Sequence, residues 1–295
     1  MVRISLNVKN SFAEPLEAWC CETGCPNWGL EKIDDKHVPL LFGYFDDKPA
    51  AEAGYAALRA AFPELPESPS METVCDRDWK EEYKKFLTAW NYKGLNWVPL
   101  WMRGDFKEPP NEKVFYFDAG LAFGTGDHPT TRLCAMSMLD YIDACGGDVS
   151  DKFLIDAGCG SGILALTAKM FGFGKVYGFD RDEEAVRVSL ENAKLNNIAL
   201  DGISFEHAGI ERALEGKKAD IVLANIISDV LCIYADSLID SVKAGGRLIL
   251  SGILAAENAR VKDYFLSRLD GREESCESMS MGDWSRLEIK FKDNV

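Results

Sequence analysis

This 295-residue sequence contains no run of eighteen apolar residues, so we expect neither a transmembrane helix nor a membrane partner. Its first ten residues, MVRISLNVKN, alternate apolar and polar side chains. They therefore lack the continuous apolar region that is typical of a secretory signal peptide. Together these absences predict a cytoplasmic protein.

Positive charge is also scarce. The chain has 33 Lys and Arg against 48 Asp and Glu, which gives a formal net charge of −15 at pH 7. Phosphate backbones repel such a protein, so we expect no direct binding of nucleic acid. A basic protein partner would be attracted instead. The acidity could equally serve solubility alone, and the charge does not decide between these interpretations.

Metal-ligand patterns are missing as well. The chain has nine cysteines, and its one cluster is Cys20, Cys21 and Cys25. No second cysteine pair follows this cluster, and no histidine stands at ligand spacing from it, so we expect reduced thiols and no metal site. His37 and His207 lie outside every motif, and we expect them at the surface or in packing.

The beginning of the chain, residues 1–66, predicts a small separate domain. We expect strands at residues 4–8 and 38–45 and helices at residues 13–21 and 50–61. This order is typical of a small α+β domain of the ferredoxin type. Three prolines follow within residues 63–69, a composition typical of a linker. We therefore predict a connecting segment at residues 67–90, with a helix at 78–89 whose aromatic side chains share one packing face.

The remainder, residues 91–295, predicts alternating strands and helices and hence a parallel sheet covered on both faces. We expect its strands at Phe153–Asp156, Lys175–Asp180, Ile203–His207, Asp220–Asn225 and Gly246–Ser251. The alternation ends at residues 274–281 and 286–292, which flank Gly282-Asp283 and predict an antiparallel hairpin. The expected architecture is an α/β doubly wound sheet closed by this hairpin.

The most informative segment contains a glycine-rich turn. An apolar strand ends at Asp156, and Gly158, Gly160 and Gly162 follow before an amphipathic helix. Glycines let a ligand approach the backbone, and a helix start offers free N–H groups. The next strand ends in Asp180, and an acid at that place can bind both hydroxyls of a ribose. The segment therefore predicts a site for a nucleoside-containing cofactor.

The spacing of the glycines bears on which cofactor is bound. A dinucleotide fingerprint requires G-x-G-x-x-G, but Ile163 stands where its third glycine should be. A NAD-linked oxidoreductase is therefore disfavoured, although the segment alone does not exclude it. A glycine-rich turn that only packs tightly is a further alternative.

A second unusual string, residues 118–132, precedes that turn. It has the sequence DAGLAFGTGDHPTTR, with three glycines within seven residues, and it leads into a helix. Pro129 suits an early helical position, and the threonine hydroxyls could cap the helix or face a ligand. A simple capped turn would explain a threonine here, but it would explain neither the glycines nor His128.

Taken together, these strings resemble one family. The combination of LAFGTG-x-HPTTRL, LIDAGCGSGILAL, ANII and SGIL, preceded by DRDWKEEYKKF, is similar to the PrmA family, the lysine methyltransferases of the eleventh protein of the bacterial large ribosomal subunit. The resemblance extends from about residue 76 onward. It implies the seven-stranded class I methyltransferase fold, S-adenosylmethionine as methyl donor, and a large-subunit ribosomal protein as substrate and partner.

The resemblance also implies a role for each part of the chain. Residues 1–66 would recognise the substrate, residues 67–90 would connect, and residues 91–295 would catalyse the transfer. The match is weak over the first part, so a protein lysine methyltransferase with a different substrate stays an alternative. A module that binds S-adenosylmethionine without catalysis is another, which Asp180 and Asn225 disfavour.

Site residues follow from the same resemblance. It implies cofactor contacts at Phe123, Thr131, Gly158, Gly160, Asp180 and Asn225, and roles in the transfer for Asn225 and His128. The chain departs from the family at Asp127, where a threonine is usual, and this carboxylate could change substrate preference.

Asn225 is expected to orient the amine that is methylated. A lysine amine has a pKa of about 10.4 in water and can attack a methyl group only when neutral. An amide oxygen can point its lone pair at the methyl without being a strong base. Relatives that methylate amines often place prolines and an aromatic residue after this asparagine, whereas here Ile226 and Ile227 follow.

Overall fold

The structure, a computed structural model, describes residues 1–12, 15–16, 19, 27–31, 38–73, 88–117, 126 and 128–293. The chain forms two compact units, Met1–Phe86 and Leu87–Val295. Within the described ranges, no helix combines the length and apolarity that crossing a membrane requires. Most of the helix expected at 13–21 and nearly all of the one expected at 78–89 lie outside the described residues.

The N-terminal unit contains a four-stranded antiparallel sheet with the order β2-β3-β1-β4. Its elements are β1 (Val2–Asn7), β2 (Trp28–Glu31), β3 (Leu40–Phe45), α1 (Lys48–Ala61) and β4 (Ser70–Thr73). Asp47 caps α1 by accepting a hydrogen bond from the N–H of Ala50 at 2.8 Å. Ile4, Leu41 and Leu58 are fully buried between the sheet and the helix.

This arrangement confirms the predicted α+β class of the N-terminal unit. Two of its strands were not expected from the sequence. One of them, β4, lies in the segment predicted to be a connection, and it pairs with β1 from Val2↔Thr73 to Ser5↔Ser70. Part of the predicted connecting segment, Ser70–Thr73, therefore belongs to the sheet of the N-terminal unit.

The second unit contains a seven-stranded sheet with the order β10-β9-β8-β11-β12-β14-β13. Its strands are β8 (Phe153–Ala157), β9 (Lys175–Asp180), β10 (Ile203–His207), β11 (Ala219–Asn225), β12 (Val242–Leu254), β13 (Glu273–Met281) and β14 (Trp284–Phe291). The strands from β8 to β12 run parallel, whereas β14 is antiparallel to both of its neighbours. The predicted doubly wound class I methyltransferase sheet is confirmed.

Helices cover both faces of this sheet. They are α2 (Pro129–Ala144), α3 (Ile163–Met170), α4 (Glu183–Leu195), α5 (Ile210–Leu214), α6 (Ser228–Ile233), α7 (Ala235–Asp240) and α8 (Asn258–Leu266). On one face Leu154 and Leu223 pack against α2 and α3. On the other, Ile155 and Val222 pack against α5 to α8. Since both faces are buried, the strands have nearly continuous apolar sequences.

A three-stranded sheet that was not expected as such precedes α2. It consists of β5 (Trp90–Tyr92), β6 (Leu95–Pro99) and β7 (Lys113–Phe117) in the order β5-β6-β7. The indole of Trp97 donates to the Thr167 hydroxyl of α3 at 3.0 Å. The Asn196 side chain accepts from the N–H of Tyr116 at 2.7 Å and donates to its carbonyl at 2.8 Å. These polar contacts attach the small sheet to the helices beside the glycine-rich turn.

Candidate active site

A cavity of about 680 Å³ opens at the edge of the large sheet where β8, β9 and β11 end, which we call the carboxyl edge. The chain order changes direction here, because β9 follows β8 on one side while β11 lies on the other side of β8. Open α/β sheets bind ligands in the crevice that such a switch point leaves. The volume lies within the usual range of small-molecule sites.

The glycine-rich turn between β8 and α3 forms one wall of this cavity. Gly158, Gly160 and Gly162 have φ values of 72°, 52° and 74°, a region that other residues rarely adopt. A Cβ on Gly158 would lie 2.6 Å from the side chain of Ile226, and one on Gly162 would lie 2.6 Å from the Ser189 hydroxyl. The turn therefore requires glycine for both its conformation and its space, and Gly158 and Gly160 line the cavity.

Asp180 lies at the end of β9 and also lines the cavity. Its Oδ2 accepts a hydrogen bond from the N–H of Gly160 at 2.9 Å, and its Oδ1 accepts one from the N–H of Asp182 at 3.0 Å. These two bonds fix the orientation of the carboxylate. Each oxygen can still accept further hydrogen bonds, so the carboxylate can receive two neighbouring hydroxyls of a ribose.

Two side chains of α4 support the glycine-rich turn from behind. The hydroxyl of Ser189 donates to the carbonyl of Gly160 at 3.0 Å, and the amide of Asn192 donates to the carbonyl of Ser161 at 2.9 Å. Both side chains belong to buried residues. The backbone of Gly160 is thus held at its N–H by Asp180 and at its carbonyl by Ser189 of α4.

Asp156 lies beneath the same turn and is buried. Burial raises the pKa of its carboxyl group to about 7, since a low-dielectric environment disfavours the charged form. A hydrogen bond from the N–H of Ala165 at 3.0 Å acts in the opposite direction, and the nearby charge of Asp180 raises the pKa further. Asp156 therefore attaches β8 to the first turn of α3.

Asn225, at the end of β11, lines the cavity with an unpaired acceptor. Its Nδ2 donates to the hydroxyl of Thr131 at 3.2 Å, which orients the amide. Its Oδ1 is buried and has no hydrogen-bond partner among the described residues. A buried acceptor of this kind costs about 1–3 kcal/mol when it stays unpaired. The oxygen is therefore available to a donor group of a bound ligand.

The beginning of α2 contributes a further wall. His128 caps the helix, and its Nδ1 lies 2.7 Å from the Thr130 hydroxyl. His128 and Thr130 line the cavity, as does Trp284, whose ring centroid lies 4.9 Å from that of His128 at an interplanar angle of 66°. Thr131 is buried and stands behind Asn225 rather than in the cavity wall.

The structure thus brings most of the expected site residues together. Gly158, Gly160, Asp180, Asn225 and His128 line one cavity, although they come from four separate segments of the chain. Phe123 and Asp127 lie outside the described residues, as do Cys20, Cys21, Cys25 and His37. The cofactor and amine contacts expected for the site residues, including Phe123, stay predictions, as does the effect of Asp127 on substrate preference.

Several residues in and behind the cavity wall were not identified as site residues from the sequence, among them Gly252, Trp284 and Ser189. Gly252 has a φ of 81°, and a Cβ on it would lie 2.3 Å from the carbonyl oxygen of Ile226. The string SGIL contained a signal for this glycine. For Trp284 and Ser189 the sequence contained no local signal. Trp284 belongs to β14 and Ser189 to α4, and both reach the site only because the chain folds.

The sheet order, the glycine-rich turn and the acid at the end of β9 define a class I methyltransferase, an enzyme that uses S-adenosylmethionine as its methyl donor. Comparison with a family model is more specific. The model described as "Ribosomal protein L11 methyltransferase (PrmA)" matches residues 17–292. The chain belongs to this family, as the sequence motifs predicted.

Individual relatives agree with the family model. The chain is 36% identical over 226 residues to a ribosomal protein L11 methyltransferase of Shewanella sp. (strain W3-18-1), which covers 76% of this chain and 72% of that protein. It is 35% identical over 239 residues to the protein of the same name from Lactococcus lactis subsp. cremoris (strain MG1363), covering 77% and 68%. The crystal structure of a ribosomal protein L11 methylase from Lactobacillus delbrueckii subsp. bulgaricus matches with a TM-score of 0.58 and 27% identity, covering 70% of this chain and all of that one.

The cavity residues fit S-adenosylmethionine. The carboxylate of Asp180 provides paired acceptors for the ribose hydroxyls. Gly158 has no side chain, so the space beside Ile226 that a Cβ would fill stays open to a ligand. At the opposite end, the unpaired Oδ1 of Asn225 can accept from an ammonium or amine group. The two kinds of acceptor thus stand at opposite sides of the glycine-rich turn, along strands β9, β8 and β11.

Proposed function

We propose that this protein transfers methyl groups from S-adenosylmethionine to amino groups of ribosomal protein L11. This is the substrate that the names of its relatives give. The observation that carries this proposal is the buried, unpaired Oδ1 of Asn225 at the carboxyl edge. Thr131 occupies the donor side of this amide, so the oxygen is the part that is left to accept a hydrogen bond. A primary or secondary amine is a donor of the required kind.

The chemistry of the transfer explains what Asn225 contributes. When bound, S-adenosylmethionine supplies a methyl group on a positively charged sulfur, and transfer forms a bond from nitrogen to carbon while the bond from carbon to sulfur breaks. The amine must be neutral to offer its lone pair, and its displaced proton goes to solvent. By accepting one N–H, the Oδ1 of Asn225 directs the lone pair toward the methyl.

The surroundings of Asn225 support the neutral form of the amine. Ile226 and Val230 line the cavity beside it. An apolar environment lowers the pKa of an amine because it disfavours the charged form. Orientation and desolvation together therefore favour transfer without a strongly basic side chain.

We assign substrate recognition to residues 1–66, catalysis to residues 91–295 and connection to residues 67–90, of which Ser70–Thr73 also pair with the N-terminal sheet. A net charge of −15 supports a basic partner, since proteins that bind RNA are rich in Lys and Arg. The same charge supports contact with the protein rather than with RNA. We place the enzyme in the cytoplasm, where ribosomal proteins are made.

Mass spectrometry of purified L11 after incubation with the enzyme and S-adenosylmethionine tests this proposal. We expect added methyl groups on lysine or terminal amines of L11 and none on a basic control protein. Cross-linking of the full-length enzyme to L11 should connect the substrate mainly to residues 1–66. Methylation of another ribosomal protein in preference to L11 would support the alternative of a different protein substrate. Absence of amine methylation on any protein would contradict the proposal.

A further inference from the structure

The residues at the carboxyl edge follow one another in a fixed order across the sheet. Asp180 ends β9, Gly158 follows β8, Asn225 ends β11, Gly252 lies on β12, and Trp284 begins β14. Neighbouring strands are about 4.8 Å apart. Because β14 is antiparallel to β12, it begins at the edge where the parallel strands end. Trp284 therefore stands at the far end of the cavity from Asp180, about two strand spacings beyond Asn225.

Trp284 and Asn225 also share one face of the sheet. Strand residues of alternate numbers share a face, so Asn225 lies on the side of Leu223, which packs in the cluster that includes α2. Trp284 contacts His128, the cap of α2, while Thr131 in the first turn of that helix binds the amide of Asn225. The start of α2 thus contacts both the indole of Trp284 and the amide nitrogen of Asn225.

The backbone around Trp284 is held firmly. Trp284 pairs with Leu254 across β12 and β14, and the N–H of Ala255 donates to the carbonyl of Asp283 at 2.8 Å. The next residue, Ser285, is buried, and its hydroxyl donates to the carbonyl of Ile253 at 3.2 Å and accepts from Asn258 at 2.8 Å. The half-buried indole is therefore a fixed part of the cavity wall.

The position of Trp284 suits the binding of the acceptor amine. The acceptor amine arrives on an apolar stem, and methylation leaves a positive charge on its nitrogen. Aromatic faces attract such alkylammonium groups. The residues after Asn225 are Ile226 and Ile227, so β11 supplies no aromatic ring. Among the described residues, the large aromatic rings that line the cavity are those of Phe179, Tyr234 and Trp284. Phe179 precedes Asp180 on β9, and Tyr234 packs against the core cluster on the other face of the sheet, so Trp284 is the one on the face of Asn225.

We propose that Trp284 determines acceptor specificity, because its indole forms the aromatic wall against which the stem and the methylated nitrogen of the acceptor amine lie. This inference rests on the proposed function, since it requires an amine acceptor. It assigns to Trp284 contact with the acceptor and none with the ribose end of the cofactor. Its role is thus distinct from that of Asp180.

Kinetic comparison of the full-length variants Trp284→Phe and Trp284→Leu tests the assignment. In Trp284→Leu, which keeps an apolar side chain without a ring, we expect kcat/KM for the protein substrate to fall about tenfold. Trp284→Phe should retain most of the activity. Calorimetric affinity for S-adenosylmethionine should be unchanged in both. The matched control is Met279→Leu on the partner strand of the hairpin, an exposed position outside the cavity wall.

A binding measurement separates this inference from the proposed function. With S-adenosylhomocysteine present, the probes are an Nε-trimethyllysine derivative and its uncharged analogue with carbon in place of nitrogen, titrated by NMR. The wild-type enzyme should bind the charged probe several-fold more tightly. Trp284→Phe should keep this preference and Trp284→Leu should lose it.

Each outcome has a defined meaning. An equal preference in wild type and Trp284→Leu, or no preference in the wild type, would overturn the inference even if L11 is methylated normally. A loss of cofactor affinity in Trp284→Leu as large as the loss of kcat/KM would assign the indole to the cofactor instead. Failure of the wild type to methylate L11 while the Trp284-dependent preference persists would count against the proposed substrate alone.

Discussion

The two halves of the cavity are built in different ways. The cofactor half, from Asp156 to Asp180, is one continuous segment whose parts bind one another, as Gly160 binds Asp180 at 2.9 Å. The amine half consists of His128, Asn225 and Trp284, which are separated by long stretches of sequence and meet only in the folded sheet. The residues that we assign to the cofactor thus form a local motif, whereas those that we assign to the acceptor come together only through tertiary structure.

This difference has a functional meaning. Changes in the amine half can alter the acceptor while the local motif continues to bind the same cofactor. Binding of the cofactor and transfer of the methyl group should therefore respond to different substitutions. The predictions that follow test this separation, beginning with the largest expected effect.

The largest effect concerns the stability of the cofactor half. Burial raises the folded-state pKa of Asp156 to about 7, above its unfolded value of about 3.9. The unfolded chain then loses this proton at lower pH than the folded chain, so stability falls as pH rises from about 4 to 7 and is constant above. We expect the wild type to lose about 3 kcal/mol more than Asp156→Asn between pH 5 and pH 8. Urea unfolding at the two pH values measures this difference, and equal losses would contradict it.

Asn225→Ala should damage the amine half alone. Loss of the orienting acceptor should lower the single-turnover rate of methyl transfer roughly 10²-fold at saturating S-adenosylmethionine. Cofactor affinity should change much less. The matched control is Asn91→Ala, which removes an asparagine amide from the three-stranded sheet outside the cavity. A normal rate at saturating cofactor would show that Asn225 contacts only the cofactor.

Asp180→Ala should have the converse effect. Two charge-assisted hydrogen bonds to the ribose would be lost, and we expect calorimetric affinity for S-adenosylmethionine to fall at least tenfold. The control Asp182→Ala removes a carboxylate two residues away that only caps α4, through the N–H of Glu184 at 3.0 Å. This control should lower stability by about 1 kcal/mol without the loss of affinity. Equal cofactor affinity in Asp180→Ala and wild type would remove Asp180 from the site.

Ser189→Ala tests whether the cofactor half depends on a residue outside the segment from Asp156 to Asp180. The substitution removes the hydrogen bond from α4 to the Gly160 carbonyl, and we expect stability to fall by about 1 kcal/mol with a several-fold loss of cofactor affinity. Ser267→Ala, which removes a hydroxyl bound to the Tyr264 carbonyl within an exposed region, should affect neither quantity. Unchanged affinity in Ser189→Ala would show that the turn keeps its shape without α4.

The sequence predicted the glycine-rich turn, its flanking strands and the large sheet well for a physical reason. Strand β8 is an apolar run that ends at a turn of three glycines, and the glycines have positive φ values that hardly any other residue would adopt. Strand β9 was predicted with the bounds that the structure shows, Lys175–Asp180, since a glycine precedes it and an acid ends it. In both strands the information lies within a few residues.

Longer-range features were harder to predict. A strand was expected at Gly246–Ser251, yet β12 runs from Val242 to Leu254, and its register against β11 shifts between Val242 and Arg247. The hairpin of β13 and β14 was expected, but its local sequence does not tell which edge of the sheet its turn reaches. Only the antiparallel pairing with β12 places Trp284 beside His128. Strand β4 was missed because its pairing with β1 joins residues about seventy positions apart.

The strand order also has a consequence for biosynthesis. A ribosome makes Asp180 and Asn225 before it makes Trp284, since β14 follows β11 and β12 in the chain. At roughly 5–20 residues per second, the indole is added about 3–12 s after Asn225. A nascent chain therefore contains all residues of its cofactor half before the wall for the acceptor exists. Premature termination after β12 would yield a chain that has every residue assigned to S-adenosylmethionine but lacks the indole assigned to the amine.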